Sequence, residues 1–128
     1  MCGIAGFTTA ENSERHLELA GSMVRALRHR GPDAQGVMQF NGAVLGHARL
    51  SIIDLSEAGN QPFVSDDGRY AMVFNGEIYN FQSLRSKLTA QGVQFRTQTD
   101  TEVVLALLTR EGMDAIEQLN GMFAIALW

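Results

Sequence analysis

The sequence predicts a single layered domain of the α+β class, a fold that mixes helices with strands, and three observations carry that expectation. Short apolar runs of strand character recur along the chain. Segments between them repeat apolar residues at helical spacing, and Asn-Gly and Gly-Pro pairs punctuate the boundaries. The chain has 128 residues, 45% hydrophobic and 19% charged, which is ordinary globular composition. A chain of this size buries roughly two thirds of its unfolded surface, enough for a core without disulfides or a structural metal.

The first element is the run Cys2-Gly3-Ile4-Ala5-Gly6-Phe7, which ends at Thr8 and Thr9 and reads as a strand. Ser13 is placed to cap a helix whose apolar residues Leu17, Ala20, Met23, Val24 and Leu27 recur at helical spacing, with Gly31 and Pro32 closing it. Val37 to Phe40 and Ala43 to Leu50 flank Asn41-Gly42 as a β-hairpin, and Ser51 to Leu55 continues as an extended apolar segment. After a loop through Gly59, Asn60 and Pro62, Tyr70 to Phe74 forms a further strand, ended by the turn signal Asn75-Gly76. Asn80 caps a helix carrying Phe81, Leu84 and Leu88, which Gly92 ends. Val93 to Phe95 is strand-like, and Thr99 with Glu102 has capping-box spacing ahead of Val103, Val104, Leu107 and Leu108. Gly112 ends that helix. A short helical piece through Ile116 and Leu119 leads to Asn120-Gly121, a plain turn like Asn41-Gly42, and then to the apolar strand Met122 to Trp128, of buried character. Because this last strand has no following partner, the expectation is a C-terminally incomplete copy of its fold.

Charge narrows the function. Ten Lys and Arg against fourteen Asp and Glu give a net charge of −4, the wrong sign for coating nucleic acid or anionic lipid. Neither a membrane span nor a signal peptide is apparent, and the lone Cys2 allows no internal disulfide and no zinc cluster. The expected setting is the reducing cytoplasm, with small molecules or proteins as partners and no metal. The methionines are expected to fill the core.

Cys2 is the residue with the sharpest chemistry. Removing Met1 would put its thiol and a free α-amine on one residue, so that one residue supplies nucleophile and base. An α-amine titrates near ~7.7–8.0 and a cysteine near ~8.5, so the amine can take the thiol proton, directly or through a water. The competing reading is a small apolar residue at the start of a strand.

Four further motifs stand in order behind it: Arg28-His29-Arg30-Gly31-Pro32-Asp33, His47-Ala48-Arg49-Leu50-Ser51-Ile52-Ile53-Asp54, Asn75-Gly76-Glu77-Ile78-Tyr79-Asn80, and Asp100-Thr101-Glu102-Val103. With Met1-Cys2-Gly3-Ile4-Ala5-Gly6 they resemble the class II, N-terminal-nucleophile glutamine amidotransferases, and within that class the glutaminase domain of glutamine-hydrolysing asparagine synthetases. The resemblance runs the length of the chain. It implies the N-terminal-nucleophile hydrolase α/β/β/α sandwich, with residues 1–128 as the N-terminal part of a type 2 glutamine amidotransferase domain. The substrate it implies is L-glutamine, with Cys2 as nucleophile.

Further roles follow from the same resemblance. Arg49 matches the position that grips the α-carboxylate, which suits a planar guanidinium. Glu77 and Asp100 match those that hold the α-ammonium, and the backbone of Arg49, Leu50, Ser51, Ile52 and Ile53 matches the wall along which the substrate lies. Asn75 and Gly76 match the oxyanion hole, by side-chain amide and backbone N–H respectively. His29 and His47 are expected to be hydrogen-bonded structural groups, and Arg30 to Asp33 a helix stop and ordered turn. No cofactor is expected in this chain. ATP and Mg²⁺ belong, by the same resemblance, to a C-terminal synthetase domain absent from it, and a homodimer is an assembly the family permits. Two alternatives stay open: an amidotransferase of the same class serving another acceptor, and a silent binding or regulatory module.

Overall fold

The computed structural model describes residues 1–128 as two three-stranded sheets stacked between helices. Strand β1 (Gly3–Thr8) leads to helix α1 (Glu14–Ala26), then the hairpin β2 (Ala34–Phe40) and β3 (Ala43–Arg49). Ser13 caps α1 by accepting from the His16 amide, as its position predicts. β3 is central in the first sheet, antiparallel to both β1 and β2. It is buried at every position.

The second sheet orders β4 (Phe63–Val64), β5 (Ala71–Ile78) and β6 (Gly121–Leu127), again antiparallel. Helices α2 (Phe81–Ala90) and α3 (Asp100–Glu111) lie between β5 and β6 in the chain and pack on one face of their sheet. Alternation along β5 divides its side chains. Met72, Phe74 and Ile78 join Leu84, Leu88, Val103, Val104 and Leu107 in the main core, while Ala71 and Val73 turn to Leu45 and the first sheet. With α1 against the first sheet, the layers run α, β, β, α.

Several local expectations need correction. Asn75-Gly76 is no turn: β5 runs straight through it because β6 pairs with the strand as far as Ile78. Asn120-Gly121 is likewise no hairpin turn, since Gly121 opens β6 and two helices separate β5 from β6. Ser51 to Leu55 has no strand partner, and Ile52, Ile53 and Leu55 are exposed. Val93 to Phe95 also pairs with nothing, and its apolar side chains pack on the main core instead.

Three packing and capping expectations also change. The last strand lies at a sheet edge, so Met122 and Phe123 are exposed rather than buried. Only Met72 among the methionines is fully buried. Asn80 does not cap α2: its amide spans Gln118 O at 2.8 Å and Asn120 N at 3.0 Å, tying the start of α2 to the approach to β6. Thr99 does cap α3, but Glu102 turns to the amides of Arg96 and Thr97, so the capping box is half formed. No helix is long and apolar enough to cross a membrane.

Candidate active site

Cys2 immediately precedes β1, and its sulfur lies against the peptide backbone just beyond β3. Leu50 N–H donates to Cys2 Sγ at 3.3 Å, and the thiol approaches Leu50 O at 3.6 Å. Arg30 Nε donates to the Cys2 carbonyl at 2.9 Å, and Asp33 Oδ2 accepts from Ser51 N at 2.8 Å. The Arg30–Asp33 segment is thus more than a helix stop: it fixes the backbone on both sides of the sulfur. Nothing in the spacing of these residues signals that role.

A cleft opens beside the thiol. Cys2, Arg49, Leu50, Ile52, Ile53, Gly76, Glu77 and Asp100 all line it, although they come from the segment before β1, from β3, β5 and α3, and from the loop after β3. Two of the expected residues do not. Ser51 lines a separate surface depression with Asp33 and Asn60, and Asn75 turns toward the space between the sheets, on the same face as Val73. A larger groove between the sheets is lined by 15 hydrophobic residues of 17 and lacks the convergent polar groups that orient a polar ligand. The cleft at Cys2 is therefore the candidate site.

Arg49 is 6% exposed, and its guanidinium is already engaged. Nη1 donates to Ser56 O at 2.7 Å and to Asn60 Oδ1 at 2.8 Å, while Nη2 donates to Asp54 O. Three of its five hydrogens therefore fasten the 54–60 loop, leaving Nε and one hydrogen on Nη2 for a ligand. A Cβ at Gly59 would lie 2.5 Å from Nη2, so a side chain there would push the guanidinium out of this arrangement.

The edge of β5 facing the cleft explains the placement of Gly76. Ala71 exchanges backbone hydrogen bonds with Trp128, and Tyr79 N donates to Asn120 O, so the odd-numbered residues of β5 face β6. The even-numbered residues face the other edge, where β4 reaches only Met72. Side chains replace the missing strand there. Phe74 N donates to Gln61 Oε1 at 2.6 Å, Phe74 O accepts from His47 Nε2 at 3.1 Å, and Ile78 N donates to Asp100 Oδ2 at 3.1 Å. Between these filled positions the Gly76 amide is left directed into the cleft. β6 crowds Gly76 from behind: an added Cβ would meet Met122 O at 2.3 Å. The glycine thus answers to the neighbouring strand as well as to the cleft. Asn75, next to it, has a buried Oδ1 without a hydrogen-bond partner.

Electrostatically the cleft pairs one cation with two carboxylates. Burial raises the Asp100 pKa, and the nearby Glu77 charge adds to the rise; the Ile78 amide opposes it. A cation seated between Glu77 and Asp100 would relieve both effects. Asp54 is held down to about 2, chiefly by the Ser56 hydroxyl and then by the Gln98 amide.

His47 is 1% exposed, and burial pushes its imidazole down to about 4, with the charge of Arg49 acting the same way and the bond to Phe74 O opposing. Between pH 6.5 and 4 the unfolded chain binds a proton at His47 that the native chain does not. Native stability therefore rises with pH across that window, by about 3 kcal/mol from this group. Asp100 acts in the opposite sense, so the test is a difference: chemical denaturation at pH 7 and pH 4.5 should show a larger loss in the wild type than in His47→Gln.

The glutamine amidotransferase domain model matches residues 1–128, the whole chain. The chain belongs to the glutamine amidotransferase domain family. This amidotransferase domain is 41% identical over 132 residues to asparagine synthetase (glutamine-hydrolyzing) 1 of Bacillus subtilis, covering 100% of this chain and 21% of that protein. It is 40% identical over 129 residues to asparagine synthetase B (glutamine-hydrolyzing) of Escherichia coli, covering 100% and 23%. It is also 39% identical over 139 residues to the amidase chyE of Penicillium rubens, covering 100% and 20%. The chain thus spans about a fifth to a quarter of the length of these relatives. Among solved structures it is similar to the glutamine phosphoribosylpyrophosphate amidotransferase of B. subtilis, with a TM-score of 0.77 and 22% identity over 99% of this chain and 34% of that chain. The amidotransferase domain therefore has the α+β, α/β/β/α layered fold that the sequence predicts.

Proposed function

We propose that this chain hydrolyses glutamine to glutamate and ammonia, and that the ammonia serves asparagine synthesis. The observation that carries the reading is the convergence of the Cys2 sulfur and the unpaired Gly76 amide on one cleft, with a cation and two carboxylates around them. Once Met1 is removed, the α-amine of Cys2 takes the thiol proton and the sulfur attacks the side-chain amide carbon. The oxyanion of the tetrahedral intermediate accepts from Gly76 N–H, and from the Asn75 side-chain amide once that side chain rotates from the space between the sheets toward the cleft. Its collapse expels ammonia, which leaves with the proton held on the α-amine. Water then cleaves the γ-glutamyl thioester, releasing glutamate and restoring the thiol. Arg49 holds the α-carboxylate through Nε and its free Nη2 hydrogen, Glu77 and Asp100 hold the α-ammonium, and Leu50 to Ile53 form the flanking wall.

The test is intact mass before and after the glutamine-mimicking electrophile 6-diazo-5-oxo-norleucine. The expected result is loss of Met1 and one adduct on Cys2 that excess glutamine suppresses; a retained Met1 with no adduct would overturn the reading. Arg49→Ala should raise KM for glutamine by roughly 10- to 100-fold, the worth of a lost charge-assisted hydrogen bond, with kcat of the folded enzyme much less affected. Steady-state kinetics on the folded fraction checks this.

The relatives' names point to a synthetase region beyond the length this chain spans. In this reading ATP and Mg²⁺ act there on aspartate, in a cytoplasmic enzyme that is free to form a homodimer. A second reading, an amidotransferase serving another acceptor, draws support from the 39% identity to the amidase chyE, close to the identity with the synthetases. Product analysis with aspartate and ATP distinguishes the two.

A further inference from the structure

The open edge of β5 directs attention to His47, which the proposed chemistry does not use. β5 belongs to the second sheet and His47 to the first, at the centre of β3 opposite Ile4 and Gly36. Its Nε2 lies 3.1 Å from Phe74 O, a carbonyl that can only accept, so Nε2 carries the hydrogen. Its Nδ1 is buried with no partner, and Arg49 two residues along the same strand disfavours a second proton on the ring. The imidazole is therefore locked as one neutral tautomer with one donor, aimed at one carbonyl.

That carbonyl shares a peptide plane with the Asn75 amide, which faces β6. The plane is thus held from both edges, by a side chain of the opposite sheet and by a neighbouring strand. Gln61 Oε1, 2.6 Å from Phe74 N, fixes the preceding plane, and Gln61 is itself braced by its Nε2 donating to Thr101 Oγ1 at 3.3 Å. Asn75 and Gly76 follow directly, with no further bond on the cleft edge until Ile78 meets Asp100.

We infer that His47 is a positioning residue for glutamine hydrolysis: its Nε2–H bond to Phe74 O links the two sheets and sets the orientation in which Asn75 and Gly76 meet the reacting carbonyl oxygen. This rests on the reaction proposed above and adds a residue to it. Substrate binding through Arg49, Glu77 and Asp100 does not depend on the Phe74 carbonyl, so the effect falls on the chemical step.

Two variants of the full chain separate positioning from packing. His47→Leu fills the space and removes the donor, while His47→Gln keeps an N–H at similar reach. Glutamine hydrolysis by His47→Leu should fall at least about tenfold in kcat, in the range that a misplaced reacting group costs, with KM within about twofold, and His47→Gln should recover most of it. A folded His47→Leu with normal kcat, or a His47→Gln as impaired as His47→Leu, would overturn the inference. Amide hydrogen exchange supplies a readout that needs no activity. The Phe74 and Asn75 amides, bonded to Gln61 and to β6, should exchange faster in His47→Leu than in the wild type or His47→Gln, while Ala71 stays unchanged, and equal rates in all three would also overturn it. A wild-type chain that hydrolyses no glutamine would overturn the catalytic reading instead, with the exchange rates still deciding whether His47 fixes the segment.

Discussion

Replacing Cys2 by alanine should remove glutamine hydrolysis, with kcat falling by about 10⁴ or more, the scale seen when a covalent nucleophile is deleted. The sulfur is the one group in the cleft able to form the acyl intermediate, and no neighbouring serine or threonine is positioned to replace it: Ser51 lines another depression, and Thr99 and Thr101 are buried, with their hydroxyls hydrogen-bonded to protein partners. Folding should survive, because Cys2 is only half-buried and its hydrogen bonds to Leu50 are long sulfur contacts. A thermal melt close to that of the wild type, with no ammonia released, is the expected pair of results. Retained turnover would reassign the nucleophile.

Asn75→Ala should lower kcat by roughly 10²–10³ with little change in KM, since an oxyanion donor acts mainly in the transition state. The structure adds a second expectation. The Asn75 Oδ1 is buried without a hydrogen-bond partner, so removing the side chain also removes an unsatisfied polar atom from between the sheets. Stability should therefore hold or rise while catalysis falls, measured as an unchanged or higher denaturation midpoint in the variant with reduced kcat. Such opposite movements are those of a group kept for chemistry at a cost to the fold. A parallel loss of stability and rate would mean that Asn75 is a packing residue.

The elements legible in the sequence are those governed by local signals. Ser13 and Thr99 cap helices because a short hydroxyl there can reach an orphan amide, and Asn41-Gly42 turns a hairpin because its flanking strands pair with each other. The same dipeptide at 75 and 120 reads alike but behaves otherwise, since β5 and β6 find each other across two intervening helices and long-range pairing overrides the turn preference. The candidate site was legible as a set of residue types in order, yet its supports were not. Arg30 on the Cys2 carbonyl, Gln61 and His47 on Phe74, and the 54–60 loop on Arg49 depend on where distant backbone atoms arrive. No spacing in the chain encodes those meetings.

A sheet margin with free amides ordinarily invites a foreign strand, and proteins guard against that with charges, bulges or covers. Along β5 the guard is a sequence of plugs: a glutamine and a histidine at Phe74 and a carboxylate at Ile78 leave a gap one residue wide. An extended peptide needs a donor and acceptor at every second residue to add itself to such a margin, and here it would find the positions on either side already taken. A single small oxygen needs one amide only. The same geometry that offers an acyl oxygen its donor therefore keeps this margin from seeding aggregation, so filters on size and on self-association are one piece of architecture.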